Sequence, residues 1–206
     1  MCSWILRTFE SRTPELMLTL WKSLVIPILD YCSQLWSPSK VGEIQQLEEI
    51  QKAFTRKIRW DARGDYWQRL QHYHLYSLQR RRERYRIIYV WKMIEGLVPN
   101  LSSSGRVITK ESPRYGRVCL IPPVQTSAKS RVRRLREGSF CVNGPRLFNS
   151  LPSHLRNMTG VSHLDFKKEL DKFLWTIADE PLTTGYTACC RAESNSLQHM
   201  IPACRV

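Results

Sequence analysis

The residues of this chain with the clearest chemical potential are arginines and tyrosines set at helical spacing. Ser77 to Gly96 reads SLQRRRERYRIIYVWKMIEG. At 100° per residue Val90, Ile94, Ile87, Trp91 and Ile88 share one arc, and Arg81, Tyr85, Tyr89, Arg82 and Arg86 share the opposite one. Guanidinium forks match phosphate oxygens and phenol rings stack on bases, so an exposed arc of this kind suits a nucleic-acid backbone. It equally suits a solvated basic face with tyrosines packed on neighbours. Arg80 and Arg84 fall towards the apolar arc, which predicts that the first turns project beyond the core.

Two further basic stretches join this set. Lys57 and Arg59 end a helical pattern beside Trp60 and Arg63. The tract SAKSRVRRLRE places Lys129, Arg131, Arg133, Arg134 and Arg136 within a few residues, as a phosphate-binding loop or strand, or as a basic linker or targeting tract. The carboxylates offer less. Polymerases and nucleases hold divalent metal with converging acids. Here Asp61 with Asp65, and Asp165 with Asp171, read as surface acids. No GxSxG, phosphate loop or HExxH is present, and the His and Cys spacing makes no zinc pattern. No catalytic residue, metal or cofactor is expected.

Residues 56 to 136 hold 20 of the 32 Lys and Arg but 5 of the 18 acids, so this segment carries the whole net charge of +14. A concentrated positive field favours a polyanion, either nucleic acid or an anionic membrane surface. Seven Cys without a CxxC pair read as reduced thiols, which points to an intracellular protein, cytoplasmic or nuclear. No apolar run approaches a membrane span, and Arg7, Glu10 and Arg12 interrupt the only N-terminal apolar patch, so neither a signal peptide nor membrane insertion is expected.

The elements that must position these residues are mainly helical. Residues 1 to 11 read as the end of a helix that begins elsewhere, which predicts a fragment of a longer protein. Pro14 to Trp36 reads as one largely buried helix with Leu16, Leu20, Leu24, Ile28, Cys32 and Leu35 recurring along it, kinked at Pro27. Val41 to Ile58 follows, with Val41, Ile44, Leu47, Ile50, Phe54 and Ile58 on one side and acids preceding bases along the helix dipole. Tyr66 to His72 is a short helical turn leading into the central helix, which Ser77 caps and Gly96 ends. Short strands are predicted at Arg106 to Ile108, Arg117 to Ile121 and Ser139 to Val142. Gly144 to Leu155 reads as a turn with broken helix burying Leu147, Phe148 and Leu151. Ser162 opens a final amphipathic helix to Ile177 with Leu164, Phe166, Leu170, Phe173 and Leu174. The predicted organisation is a helical bundle over 1–97, a basic irregular connector over 98–138, a small α+β piece over 139–178 and a disordered tail over 179–206.

The blocks WILRTFESR, LVIPILDYCSQLWSP, GEIQQLEEIQKAFTRKI, YWQRL, LYSLQRRRERYRIIYVWKMIEGLVPN, SFCVNGPRLFNSLPSHLRN and FKKELDKFL, in this order, resemble the C-terminal part of LINE-type (non-LTR) retrotransposon reverse transcriptases. The resemblance runs from Trp4 to about Ser196. It implies that the helices of residues 1 to 58 are a thumb gripping the template–primer duplex, and that the basic blocks contact RNA or an RNA–DNA hybrid. The palm motif of such enzymes, an aromatic residue, a variable residue and two aspartates, is absent from these 206 residues, as is an endonuclease. The resemblance therefore implies a gripping role without polymerase activity. Lys57, Arg59, Arg81, Arg82, Tyr85, Arg86, Tyr89, Arg131, Arg133 and Arg134 are the expected nucleic-acid contacts. The alternatives are a helical interaction module that docks on a polymerase palm or other partner, an enzyme in its own right, and a retroelement relic without a selected role.

Overall fold

Pro27 shapes the first helices. It has no amide hydrogen to give the Ser23 carbonyl, and its ring crowds that carbonyl. The chain answers by widening. In the computed structural model, α2 (Pro14–Leu20) passes into a π-helical turn over Trp21–Val25, where the Ile26 amide bonds back to the Trp21 carbonyl, and continues as α3 (Ile26–Asp30). The single helix predicted to Trp36 then breaks. Cys32 adopts a left-handed backbone with φ 51°, and α4 (Ser33–Trp36) starts a new direction. The structure describes residues 1–38, 40–58, 64–99, 107–113, 116–122, 130–181 and 195–201. These are mainly helical, with one two-stranded antiparallel sheet. They form two units, 1–82 and 83–206, so the division falls inside the central helix and not after residue 97.

In the first unit, α1 (Cys2–Thr8) buries Ile5, and the buried stripe of the next helices is Met17, Trp21, Val25 and Ile26. The predicted stripe is displaced. Ile28 and Leu35 are 58% and 82% exposed, because the π turn and the break at Cys32 rotate them off the core. Trp21 packs on Phe54 of α5 (Val41–Thr55) with ring centroids 4.7 Å apart. That helix also turns an unexpected face inward. Glu48, Gln51, Phe54 and Thr55 are buried, whereas Ile50 is exposed. Glu48 is stabilised there by the Leu78 amide and the Tyr66 hydroxyl, its carboxylate accepting from the amide at 3.1 and 3.0 Å. Gln51 donates to the Tyr76 carbonyl at 3.0 Å. Asp65 and Gln68 close a reciprocal capping box on α6 (Tyr66–His72).

α7 (Leu78–Ile94) begins in the first unit and ends in the second. Ser77 Oγ accepts from the Arg80 amide, as its capping role requires. Gly96 takes φ 71°, and the Leu97 amide bonds back to the Lys92 carbonyl at 2.9 Å, which ends the helix in a left-handed turn.

In the second unit, Ile87, Ile88, Val90 and Trp91 are buried as their periodicity predicts. Trp91 stacks on Phe166 of α11 (His163–Trp175) at 4.5 Å and donates to the Met158 carbonyl at 2.8 Å. Ser162 caps α11 by accepting from the Leu164 amide, and Phe166, Leu170 and Leu174 form its buried face, while Leu164 is exposed. The strands lie at β1 (Thr109–Ser112) and β2 (Gly116–Cys119), paired Thr109 to Cys119 and Ser112 to Gly116. The outer edge of β2 is covered by two asparagines. Asn157 accepts from the Arg117 amide, and Asn149 bonds both the amide and the carbonyl of Cys119, each at 2.8 Å.

Three segments differ from their expected form. The basic tract is neither loop nor strand but α8 (Ser130–Gly138), since arginine and leucine are good helix formers and no glycine or proline interrupts them. Ser139 to Val142 is not a strand. It leads into α9 (Phe140–Asn149), and Gly144 permits the close approach of this helix to Val90, whose methyl lies 2.9 Å from where a Cβ would stand. α10 (Ser153–Arg156) follows. Within the predicted tail, residues 195–201 are ordered by the fold. Leu197 is fully buried, and Glu83 accepts from the Ser196 hydroxyl at 2.6 Å and the Leu197 amide at 2.8 Å, holding the start of α12 (Leu197–Met200). Among the described residues no helix is long and apolar enough to cross a membrane.

Candidate nucleic-acid interface

The expected contact residues divide sharply by burial. On α7, Arg82 and Arg86 are each 3% exposed, so the arc predicted to face solvent does not, and Arg80, in the first turns expected to project beyond the core, is fully buried. The physical reason lies in arginine itself. Its long apolar stem packs well, and its delocalised charge is less costly to desolvate than an ammonium. Arg81 is partly buried, its Nε 2.7 Å from Asp30 Oδ2. Arg84 holds Asp171 with two parallel bonds of 2.5 and 2.7 Å. The tyrosines are half-buried. Tyr89 sits edge-on to Phe140 at 5.4 Å, and the Arg84 guanidinium lies 5.7 Å from the Tyr85 ring centroid. This helix works as an internal strut.

α8 is the opposite case. Arg131, Arg133, Arg134 and Arg136 are all exposed, and no residue of the helix is buried. Arg133 bonds Glu137 one turn on at 3.3 Å, and Arg134 Nε donates to the Ser130 carbonyl at 3.4 Å, both solvent-facing contacts of little energetic weight. Val132 and Leu135 are exposed beside them. Four guanidinium groups on about 13 Å of helix form a cationic rod able to follow a phosphate backbone. Lys57, in the first unit, is exposed at the end of α5; Arg59 lies outside the described residues.

The carboxylates have other roles. Asp65 caps α6, Asp165 lies 3.9 Å from Lys168, and Asp171 is taken by Arg84. Asp61 lies outside the described residues. Among the described residues no three His, Cys, Asp or Glu side chains gather as a metal site. Cys2, Cys32, Cys119 and Cys141 are free thiols, and burial pushes Cys119 up to about 12.

Sequence reasoning overlooked two cations, Lys92 on α7 and Lys167 on α11. A signal for Lys167 was present in its i, i+4 spacing from Asp171, but the capture of that acid by Arg84 depends on tertiary structure.

No protein-family model matches the chain, and neither a curated protein nor a solved structure matches it.

Proposed function

We propose that this chain is a non-catalytic module that grips RNA or an RNA–DNA hybrid, in the manner of the thumb and post-thumb segment of a LINE-type reverse transcriptase. The observation that carries this reading is α8, whose four arginines are all exposed on a helix with no buried side chain. The ordered block resemblance and the concentration of charge between residues 56 and 136 support it. Contacts of guanidinium groups with phosphates release counterions, so binding is tight in dilute buffer, weakly sequence-selective and steeply salt-dependent. Filter binding of a short RNA and a matching RNA–DNA hybrid across a salt series tests the reading. A flat response, or no retention at low salt, overturns it. Primer extension with magnesium is expected to give no product.

A second reading, an interaction module for a palm domain or other protein, is favoured by Ile28, Tyr31, Leu35 and Trp36, which are 58, 75, 82 and 42% exposed within nine residues of the first unit. Light scattering of the chain, alone and with a reverse-transcriptase palm domain, distinguishes it. A complex formed without any nucleic-acid affinity selects this second reading.

A further inference from the structure

α7 and α11 run antiparallel within the second unit, joined by the Trp91–Phe166 stack towards one end and the Arg84–Asp171 pair towards the other. The ion pairs along this seam leave a surplus of positive charge. On α11, Lys168 and Lys172 each have a carboxylate three residues back, Asp165 at 3.9 Å and Glu169 at 2.6 Å. Lys167 has Asp171 one turn ahead, but Arg84 holds both oxygens of that carboxylate. On α7, Lys92 has Glu95 three residues ahead. Its oxygens are occupied in turn by Arg117 Nη1 and the Gly160 amide, each at 2.8 Å. Neither lysine has an ion pair among the described residues, and both are half-buried. Burial, and then the charges of Lys92 and Arg84, lower the pKa of Lys167 from its ordinary value, with Asp171 pulling the other way.

We propose that this seam is an anion site, in which Lys92 and Lys167 take a phosphate group that Arg84, fixed by Asp171, helps to attract. The shared ligand chemistry is a phosphate oxyanion, carried either on a nucleic-acid backbone or on a free small molecule. The site stands on its own ion-pair arrangement and does not depend on α8.

The test uses the full chain with its lysine side chains followed by NMR, titrated separately with inorganic phosphate and with a ten-nucleotide RNA. The expected result is selective movement of the Lys92 and Lys167 signals. Movement with both ligands identifies a backbone phosphate, and movement with inorganic phosphate alone identifies a free one. The Lys92→Gln/Lys167→Gln double variant is expected to lose the phosphate response, and about tenfold in RNA affinity if the source is nucleic acid. Lys92→Arg/Lys167→Arg restores both. Removing the arginines of α8 leaves the phosphate response in place, which separates this site from the proposed RNA interface. If neither ligand moves the two signals in the unaltered protein, the proposal is overturned. It is also overturned if the glutamine variant is more stable and binds phosphate as before, because the seam is then only a strained meeting of like charges.

Discussion

α7 carries five arginines in seventeen residues and α8 four in nine, yet the fold places them in contrasting surroundings. Arg80, Arg82 and Arg86 are buried, whereas every arginine of α8 is exposed. Charge is common to both helices, so it cannot be the cause. α7 also bears Ile87, Ile88, Val90 and Trp91, a stripe broad enough to draw it inside, and Asp30 and Asp171 lie where Arg81 and Arg84 can use them. α8 offers only Val132 and Leu135, both left in water, with Glu137 as its one acid. An arginine-rich helix therefore becomes framework or contact surface according to its apolar arc. This contrast moves the expected nucleic-acid contacts away from Arg82 and Arg86 and towards Arg131, Arg133 and Arg134.

The contrast can be broken most directly at Trp91. Trp91→Ala removes a fully buried ring, its stack on Phe166 and its bond to Met158, and is expected to cost about 4 kcal/mol in urea unfolding. A loss below about 1 kcal/mol shows that α7 is not the core of its unit. Replacing all four arginines of α8 by alanine is expected to weaken RNA binding roughly a hundredfold at low salt and to flatten the logarithmic salt slope by about 2, with unfolding nearly unchanged. Unfolding of this variant under native conditions would erase the distinction between the helices. Arg86→Ala has the converse signature, a loss of about 2 kcal/mol in stability with the salt slope retained. Ser162→Ala, which removes only the cap of α11, is expected to cost about 1 kcal/mol and leave RNA binding intact. The smallest effect concerns thiols. At pH 8 a soluble alkylating reagent should label exposed Cys32 and spare Cys119, whose pKa of about 12 keeps it protonated there. Equal labelling would show that the β2 edge opens readily.

What was legible in the sequence followed from local rules. Ser77, Gly96 and Ser162 mark helix ends because capping involves only near neighbours, and the structure places the bounds within a few residues of those predicted. The arc of Ile87, Ile88, Val90 and Trp91 is buried as its period requires. The rest depended on partners distant in the chain. Glu48 is buried because Leu78, thirty residues on, supplies its donor. The asparagines covering β2 come from segments 30 and 40 residues away. At the candidate interface, the basic character of α8 was plain, but its helical form and the withdrawal of Arg82 and Arg86 were not. Residue type predicts exposure of arginine only where no surrounding structure can accommodate it.

The clasp between Glu83 and Ser196–Leu197 spans 113 and 114 residues. It joins the first residue of the second unit to one of its last described elements. The first-unit bonds described above, such as Glu48 to Leu78, lie within residues 1–82 and are available once residue 82 has been synthesised. The second unit cannot close its clasp until residue 197 has left the ribosome. During translation the first unit is thus free to settle early, while Trp91 emerges well before Phe166, the ring on which it stacks.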